Sequence, residues 1–211
     1  MKTWSAFYPD VLSELPGAPL PVVDDWLRNV AIEFCERSKA HVVDLDPVDA
    51  VANQMEYALD LPTGTELVEV VSAWFSGDKI TPKSPAFLEN KYGDWAAEID
   101  TPQFYLQQDT ENLLLVPAPS TAEVGAIKIK AAIKPTVTAT GIDDWLFSQW
   151  HLALAAGAKS KMMAMGGGVS WESPSRVPMY SAVFEDAITR AMTGSANGFV
   201  RSRPRFAGTF C

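Results

Sequence analysis

Apolar residues recur every four positions at Leu146, Trp150, Leu154, Ala158 and Met162, the spacing that lines one face of a helix. They lie within Gly141–Gly168, which predicts the longest helix and the one around which the rest is organised. Asp143 and Asp144 give it an acidic start, favoured at the positive end of a helix, and Gly166, Gly167 and Gly168 give it a stop. Its centre, Leu154-Ala-Ala-Gly-Ala158, is built of small residues. Glycine inside a helix costs about 1 kcal/mol against alanine, so Gly157 implies close packing. The expectation is that another backbone crosses at Ala155, Gly157 and Ala158. Lys159 and Lys161 interrupt the second half where apolar residues are expected.

Two more helical stripes flank this one in sequence. Pro21 to Lys39 places Val22, Val23, Trp26, Leu27, Val30, Ala31, Phe34 and Cys35 on one broad face, with Arg28, Glu33, Glu36 and Arg37 opposite. Met179 to Met192 places Tyr180, Val183, Phe184, Ala187, Ile188 and Ala191 on one face, after a loop from Val169 to Pro178. Residues 1–20 read as an extended, proline-punctuated lead anchored by Trp4, Phe7, Tyr8 and Leu12.

Between His41 and Pro135 the period changes from helical to alternating. Strand-like runs fall at Val42–Leu45, Gln54–Leu61, Glu66–Phe75, Phe104–Gln107, Leu113–Pro117 and Gly125–Ile133. Turn residues separate them at Pro62–Gly64, Ser76–Asp78 and Asp109–Asn112, with Gly77-Asp78 as a tight hairpin. Ser84–Trp95 reads as a short helix opening on Pro85. The expected fold class is α+β: a helical bundle from 1–40 and 136–198, an inserted small antiparallel β domain at 41–135, and an arm at 199–211.

Composition narrows the function by exclusion. The chain has 211 residues, 47% of them hydrophobic, including seven Trp and ten Phe, enough for a sizeable core. No apolar run reaches the ~18 residues of a membrane span, and Met1–Leu12 lacks a signal peptide's apolar block. Cys35 lies in a helical stripe and Cys211 ends the chain, a usage that fits reduced thiols in a cytoplasm. Net charge is −9, and Arg201, Arg203 and Arg205 in the arm leave the other 198 residues at −12. That balance argues against a groove built to grip nucleic acid.

Catalytic and metal chemistry find no support. His41 and His151 have no Cys, His or acidic partner at ligand spacing. Gly166–Gly168 ends a helix, whereas a phosphate cradle precedes one and is followed by Lys-Ser/Thr. Asp44-Leu-Asp-Pro-Val-Asp49 lacks the sharp-turn glycine and distal glutamate of a calcium loop. The expectation is a protein that is not an enzyme and holds no cofactor or metal.

Several stretches carry a resemblance. They are Leu15-Pro-Gly-Ala-Pro-Leu-Pro-Val-Val-Asp24 leading into Leu27–Arg37, Tyr57-Ala-Leu-Asp-Leu-Pro-Thr-Gly64, Leu113-Leu-Leu-Val-Pro-Ala-Pro119, Ala131-Ala-Ile-Lys-Pro135 and Ala155–Ala158. Together they resemble the head-to-tail connector (adaptor) proteins of tailed bacteriophages. The resemblance implies a ring of twelve copies beneath the portal, lining the DNA channel and meeting tail or nozzle proteins below. DNA would pass through without specific binding, in a virion assembled in the host cytoplasm. It further implies a terminal arm that holds the portal, with Phe206 and Phe210 in pockets and Arg201, Arg203 and Arg205 on acids. A tail-tube, baseplate or receptor-binding virion component is the alternative of similar build.

Overall fold

The computed structural model describes residues 1–197. Strand β1 (Lys2–Thr3) leads through a 3-10 turn, Trp4–Phe7, into the short helix α1 (Tyr8–Leu12). The lead is therefore helical over most of its first half, not extended. Trp4 and Phe7 are buried, and the Trp4 indole N–H donates to the Ala139 carbonyl at 2.8 Å. A buried ring with its one donor satisfied is enough to fold a turn around it. Helix α2 (Leu20–Ser38) carries Pro21 in its first turn and ends at Lys39, whose φ of 51° is left-handed. Val23, Leu27, Val30, Ala31, Phe34 and Cys35 are buried, as the stripe requires.

A curled, mostly antiparallel sheet follows. Its strands are β2 (Val42–Asp44), β3 (Val48–Ala50), β4 (Glu56–Ala58), β5 (Thr65–Phe75) and β6 (Asp78–Pro82). Helix α3 (Pro85–Tyr92), N-capped by Ser84, and β7 (Ile99–Asp100) come next. Then follow β8 (Phe104–Leu106), β9 (Asn112–Val116), β10 (Ala118–Pro119) and β11 (Glu123–Pro135). The order is β2-β11-β5-β6-β8-β9-β4, with β3 also on β11 and β7 paired with β10.

The sheet departs from six short antiparallel strands in three ways, the first being that β3, β6, β7 and β10 fall outside every expected run. β5 and β11 span 11 and 13 residues and pair from Phe75↔Ile127 to Thr65↔Pro135, with register shifts after Lys130 and Ala132. β6 and β8 run parallel, because α3 carries the chain back to the same end before β8 begins. The hairpin turn is Ser76-Gly77, one residue earlier than expected. Phase is set by φ of 49° and 91° at these two positions, the left-handed pair of a type I′ turn.

Alternation along β11 holds where one face meets solvent: Ile127 and Ile129 are buried and Lys128 is exposed. It is lost at Ala131, Ala132 and Ile133, all buried, where α2 packs against the strand. Lys134 fixes that junction with Glu36 at 2.6 Å, and Lys39 pairs with Glu69 of β5.

After β12 (Gly141–Ile142), which pairs with β1, come α4 (Asp144–Met163) and α5 (Val177–Asn197). The Asp143 carboxylate caps α4 by accepting from the Trp145 N–H at 2.8 Å. The helix ends before the glycines, with Ala164 as its last cap, and α5 begins two residues earlier than its stripe suggests. At 21 residues α5 exceeds α4 by one. α4 is nonetheless central: every residue from Ala153 to Ser160 is buried, so α1, α2 and α5 enclose it. The cores sort the same way. One cluster joins Trp4–Cys35 to Ala139–Ala191, a second fills the sheet from Ala50 to Ile133, and a small third holds Leu88 of α3 on Leu106 and Val116.

Candidate functional site

The small-residue seam of α4 lies between α2 and α5. Ala155 and Ala158 are buried there. A Cβ on Gly157 would stand 2.6 Å from Val30 Cγ1 and 2.9 Å from Phe184 Cδ2. What presses on Gly157 is thus a pair of side chains from two helices, and not a crossing backbone. The backbone crossing occurs at Gly141 instead. A Cβ there would lie 2.8 Å from the Lys2 carbonyl carbon and 2.9 Å from Thr3 Cα, inside the β1–β12 pair.

Both lysines that break the stripe of α4 have ionic partners. Lys159 is 8% exposed and its ammonium lies 2.8 Å from Glu14, just past α1. The same carboxylate accepts the Tyr180 hydroxyl of α5, with Arg176 3.6 Å away. The Lys159 ammonium also sits 4.5 Å above the Tyr180 ring. Lys161 pairs with Glu33 at 3.1 Å, and Glu33 and Glu185 share Arg37, which joins α2 to α5. The Arg37 guanidinium holds the Glu185 carboxyl below its ordinary range. Sequence reasoning missed the Glu14 cluster, since its members are 145 and 166 positions from Glu14. The only local signal was a lysine amid small apolar residues.

Neither histidine meets a metal-ligand set, and no group of three His, Cys, Asp or Glu side chains suits an ion among the described residues. His41 is buried, stacks on Trp145 at 6.1 Å, and its Nδ1 has no hydrogen-bond partner among the described residues. Burial lowers its pKa, opposed by Asp143. His151 stacks on Phe147, with Nδ1 3.0 Å from the Phe147 carbonyl. Burial pushes the Cys35 thiol up to about 12, which keeps it protonated and unreactive. Asp49, in the acidic run, accepts the Gly125 N–H at 2.7 Å and so braces the β3–β11 pairing where its register shifts. Gly167 and Gly168 take left-handed φ in the loop after α4. The arm residues Arg201, Arg203, Arg205, Phe206 and Phe210 lie outside the described residues.

Thirteen large apolar side chains are exposed among the described residues, including Phe87 at 40%, Val124 at 87% and Leu152 at 63%. No described helix is long and apolar enough to cross a membrane. Among known families, the SU10 adaptor protein model matches residues 3–205. No individual curated protein matches. Matched over nearly its whole length, the chain belongs to the SU10 adaptor protein family, in agreement with the head-to-tail adaptor motifs it carries.

Proposed function

We propose that this structural phage adaptor closes into a ring of twelve copies beneath the portal and lines the channel through which the genome is ejected. The observation that carries the reading is the family match from residue 3 to residue 205, which spans both helical ends, the sheet and part of the basic arm. The two-ended helical core then forms one unit, residues 1–40 with 136–198, and residues 41–135 form a β unit inserted into it. The arm, residues 199–211, docks on the portal, and tail or nozzle proteins attach at the other end. Synthesis takes place in the host cytoplasm, before incorporation into the virion.

Charge supports the channel. A body at −12 per chain, repeated around a ring, gives a wall that repels phosphate at short range, while salt screens it beyond ~10 Å. DNA then slides without a binding site. The test is electron microscopy of the purified protein mixed with portal. A closed ring stacked on the portal, with an acidic bore, is the expected result. Persistent monomers in the presence of portal overturn the reading, and a basic bore overturns the account of the channel.

A further inference from the structure

β2 lies at one end of the sheet, beside β11 alone. The two strands pair as Val42↔Ala132, Val43↔Ala131 and Asp44↔Lys130. Just outside that run, the Ile133 N–H donates to the His41 carbonyl and the Leu45 N–H to the Ile129 carbonyl, each at 2.9 Å. Bonded and open positions alternate in an antiparallel pair, so His41, Val43 and Leu45 turn their backbones to β11 while Val42 and Asp44 turn theirs outward. The Val42 N–H is taken by the Ala40 carbonyl at 3.2 Å. The Val42 carbonyl and both backbone groups of Asp44 have no strand beside them among the described residues. Such an edge is a template for one more strand.

A groove of about 560 Å³ follows that edge. Every residue from Ala40 to Asp44 lines it, which a groove confined to one face of a pleated strand does not allow. Trp145, 37% exposed in the first turn of α4, and Val71, 45% exposed on β5, add apolar walls. Gly194, in the last turn of α5, lines it as well. Charge does not select the occupant, because Asp44 already pairs with Lys130 at 3.3 Å and Asp143 caps α4. The open backbone and the apolar walls do.

Position names that occupant. From Gly194 to Asn197 the helix rises about 4.5 Å, and residues 198–211 lie outside the described residues. Phe199 follows two residues after Asn197, at most about 7 Å of extended chain, so the arm starts within reach of the groove. Its sequence suits an edge strand: Phe199 and Val200 favour extended backbone, and Pro204, with no N–H to give, sets a limit to the pairing. We infer that Phe199–Arg203 lies along the open edge of β2 in the same chain, bonded to the Val42 carbonyl and to Asp44, with the Phe199 ring on the wall of Trp145 and Val71. Backbone hydrogen bonds give such a contact its strength and the side-chain wall gives it register. Ordering the segment offsets most of that gain, so the seated form outweighs the open one only a few times over and hardly moves the melting temperature. The contact belongs to the unassembled chain and stands whether or not the ring proposed above forms. It withholds the arm until a partner offers a better edge.

Amide hydrogen exchange, followed by NMR on the full chain, reads the edge directly. By the alternation above, the Val43 N–H faces β11 and the Asp44 N–H does not. With the arm seated, the Asp44 N–H exchanges about threefold more slowly than in a Phe199→Ser, Val200→Gly chain, while Val43 is unchanged. Equal Asp44 rates in the two chains overturn the contact. Protection that is lost on dilution assigns the edge to the arm of a second copy and overturns it equally. Should the variant not fold, a nitroxide on Ser202→Cys in a Cys211→Ser chain replaces it, since Cys35 is buried with its thiol pushed up to about 12 and takes no label. The label must broaden the amide signals of Val42 to Asp44 and the Trp145 indole N–H, and intact signals there overturn the seat. Portal is absent throughout, so a negative result strikes this contact and not the ring.

Discussion

The ammonium of Lys159 lies 2.8 Å from a carboxylate oxygen of Glu14, tying the middle of α4 to the end of the N-terminal lead. Lys159 is nearly enclosed, while Glu14 keeps 32% of its side chain in solvent. An enclosed ammonium left without its counter-charge is costly, whereas an apolar replacement of the pair is often neutral. Solvent at Glu14 reduces the cost. Glu14→Gln should therefore destabilise the chain by about 1–3 kcal/mol in urea unfolding. Adding Lys159→Met should recover most of that loss. A double variant as unstable as the sum of the singles contradicts the coupling.

How much of this was legible follows from where partners lie along the chain. Helix faces are local, so period alone placed most buried residues of α2 and α5, although Val183 on the expected face of α5 is 46% exposed. The cap at Asp143 was equally local, and so was the Asp109 turn, where that carboxylate accepts two backbone N–H groups. Lys159 was not, because nothing within a few residues of it names Glu14. The lead was misread for a related reason: the turn at Trp4 is held by an indole N–H donated to the Ala139 carbonyl, 135 positions away. Gly157 signalled close packing without saying what approaches. The residue beside which a backbone passes, Gly141, had no pattern around it. The exposure of Phe87 is the least legible, since the short helix expected at Ser84–Trp95 gave no sign of which face stays open.

Gly157 offers a test whose sign is informative. In an open helix, Gly→Ala stabilises by up to about 1 kcal/mol. Here the added methyl would stand 2.6 Å from a β-branched valine and 2.9 Å from an aromatic ring edge, neither of which can turn aside easily. Gly157→Ala should lower the melting temperature despite its better helix propensity. Gly157→Leu should cost at least the 1–3 kcal/mol typical of overpacking. A stabilised Gly157→Ala protein would mean that α2 and α5 do not clasp α4 at this point.

Acid should loosen the junction between sheet and helices through His41. Burial holds its pKa below the ordinary 6.5, so the folded state favours the neutral ring more strongly than the unfolded state does. The unfolded chain then binds the proton first. Stability present at neutral pH is lost as pH drops below 6.5 and continues to fall until the lowered folded value is passed. Unfolding curves at successive pH values between 7 and 5 should show this decline. It should shrink in His41→Gln, which keeps a polar side chain but does not titrate. Glu185, held low by Arg37, contributes its loss at lower pH and leaves this window clear. An unchanged slope in His41→Gln would place the acid sensitivity elsewhere.

Residues 199–211 carry three arginines and no acid on a chain whose remainder is strongly acidic. Among the described residues, the core clusters draw on Trp4 to Ala191. Backbone hydrogen bonds to a partner strand would hold the arm, Phe206 and Phe210 would fill pockets, and Arg201, Arg203 and Arg205 would meet carboxylates. Ordering such a segment costs a few kcal/mol, so loss of its anchors should be felt in full. Deleting 199–211 should leave the melting temperature within a degree or so of wild type and abolish co-sedimentation with portal. Replacing only Phe206 and Phe210 by Ala should weaken docking while preserving its salt dependence, because the arginines remain. Replacing the three arginines by Gln should remove most of that salt dependence. A truncated protein that still docks at full affinity would place the portal contact on the folded body.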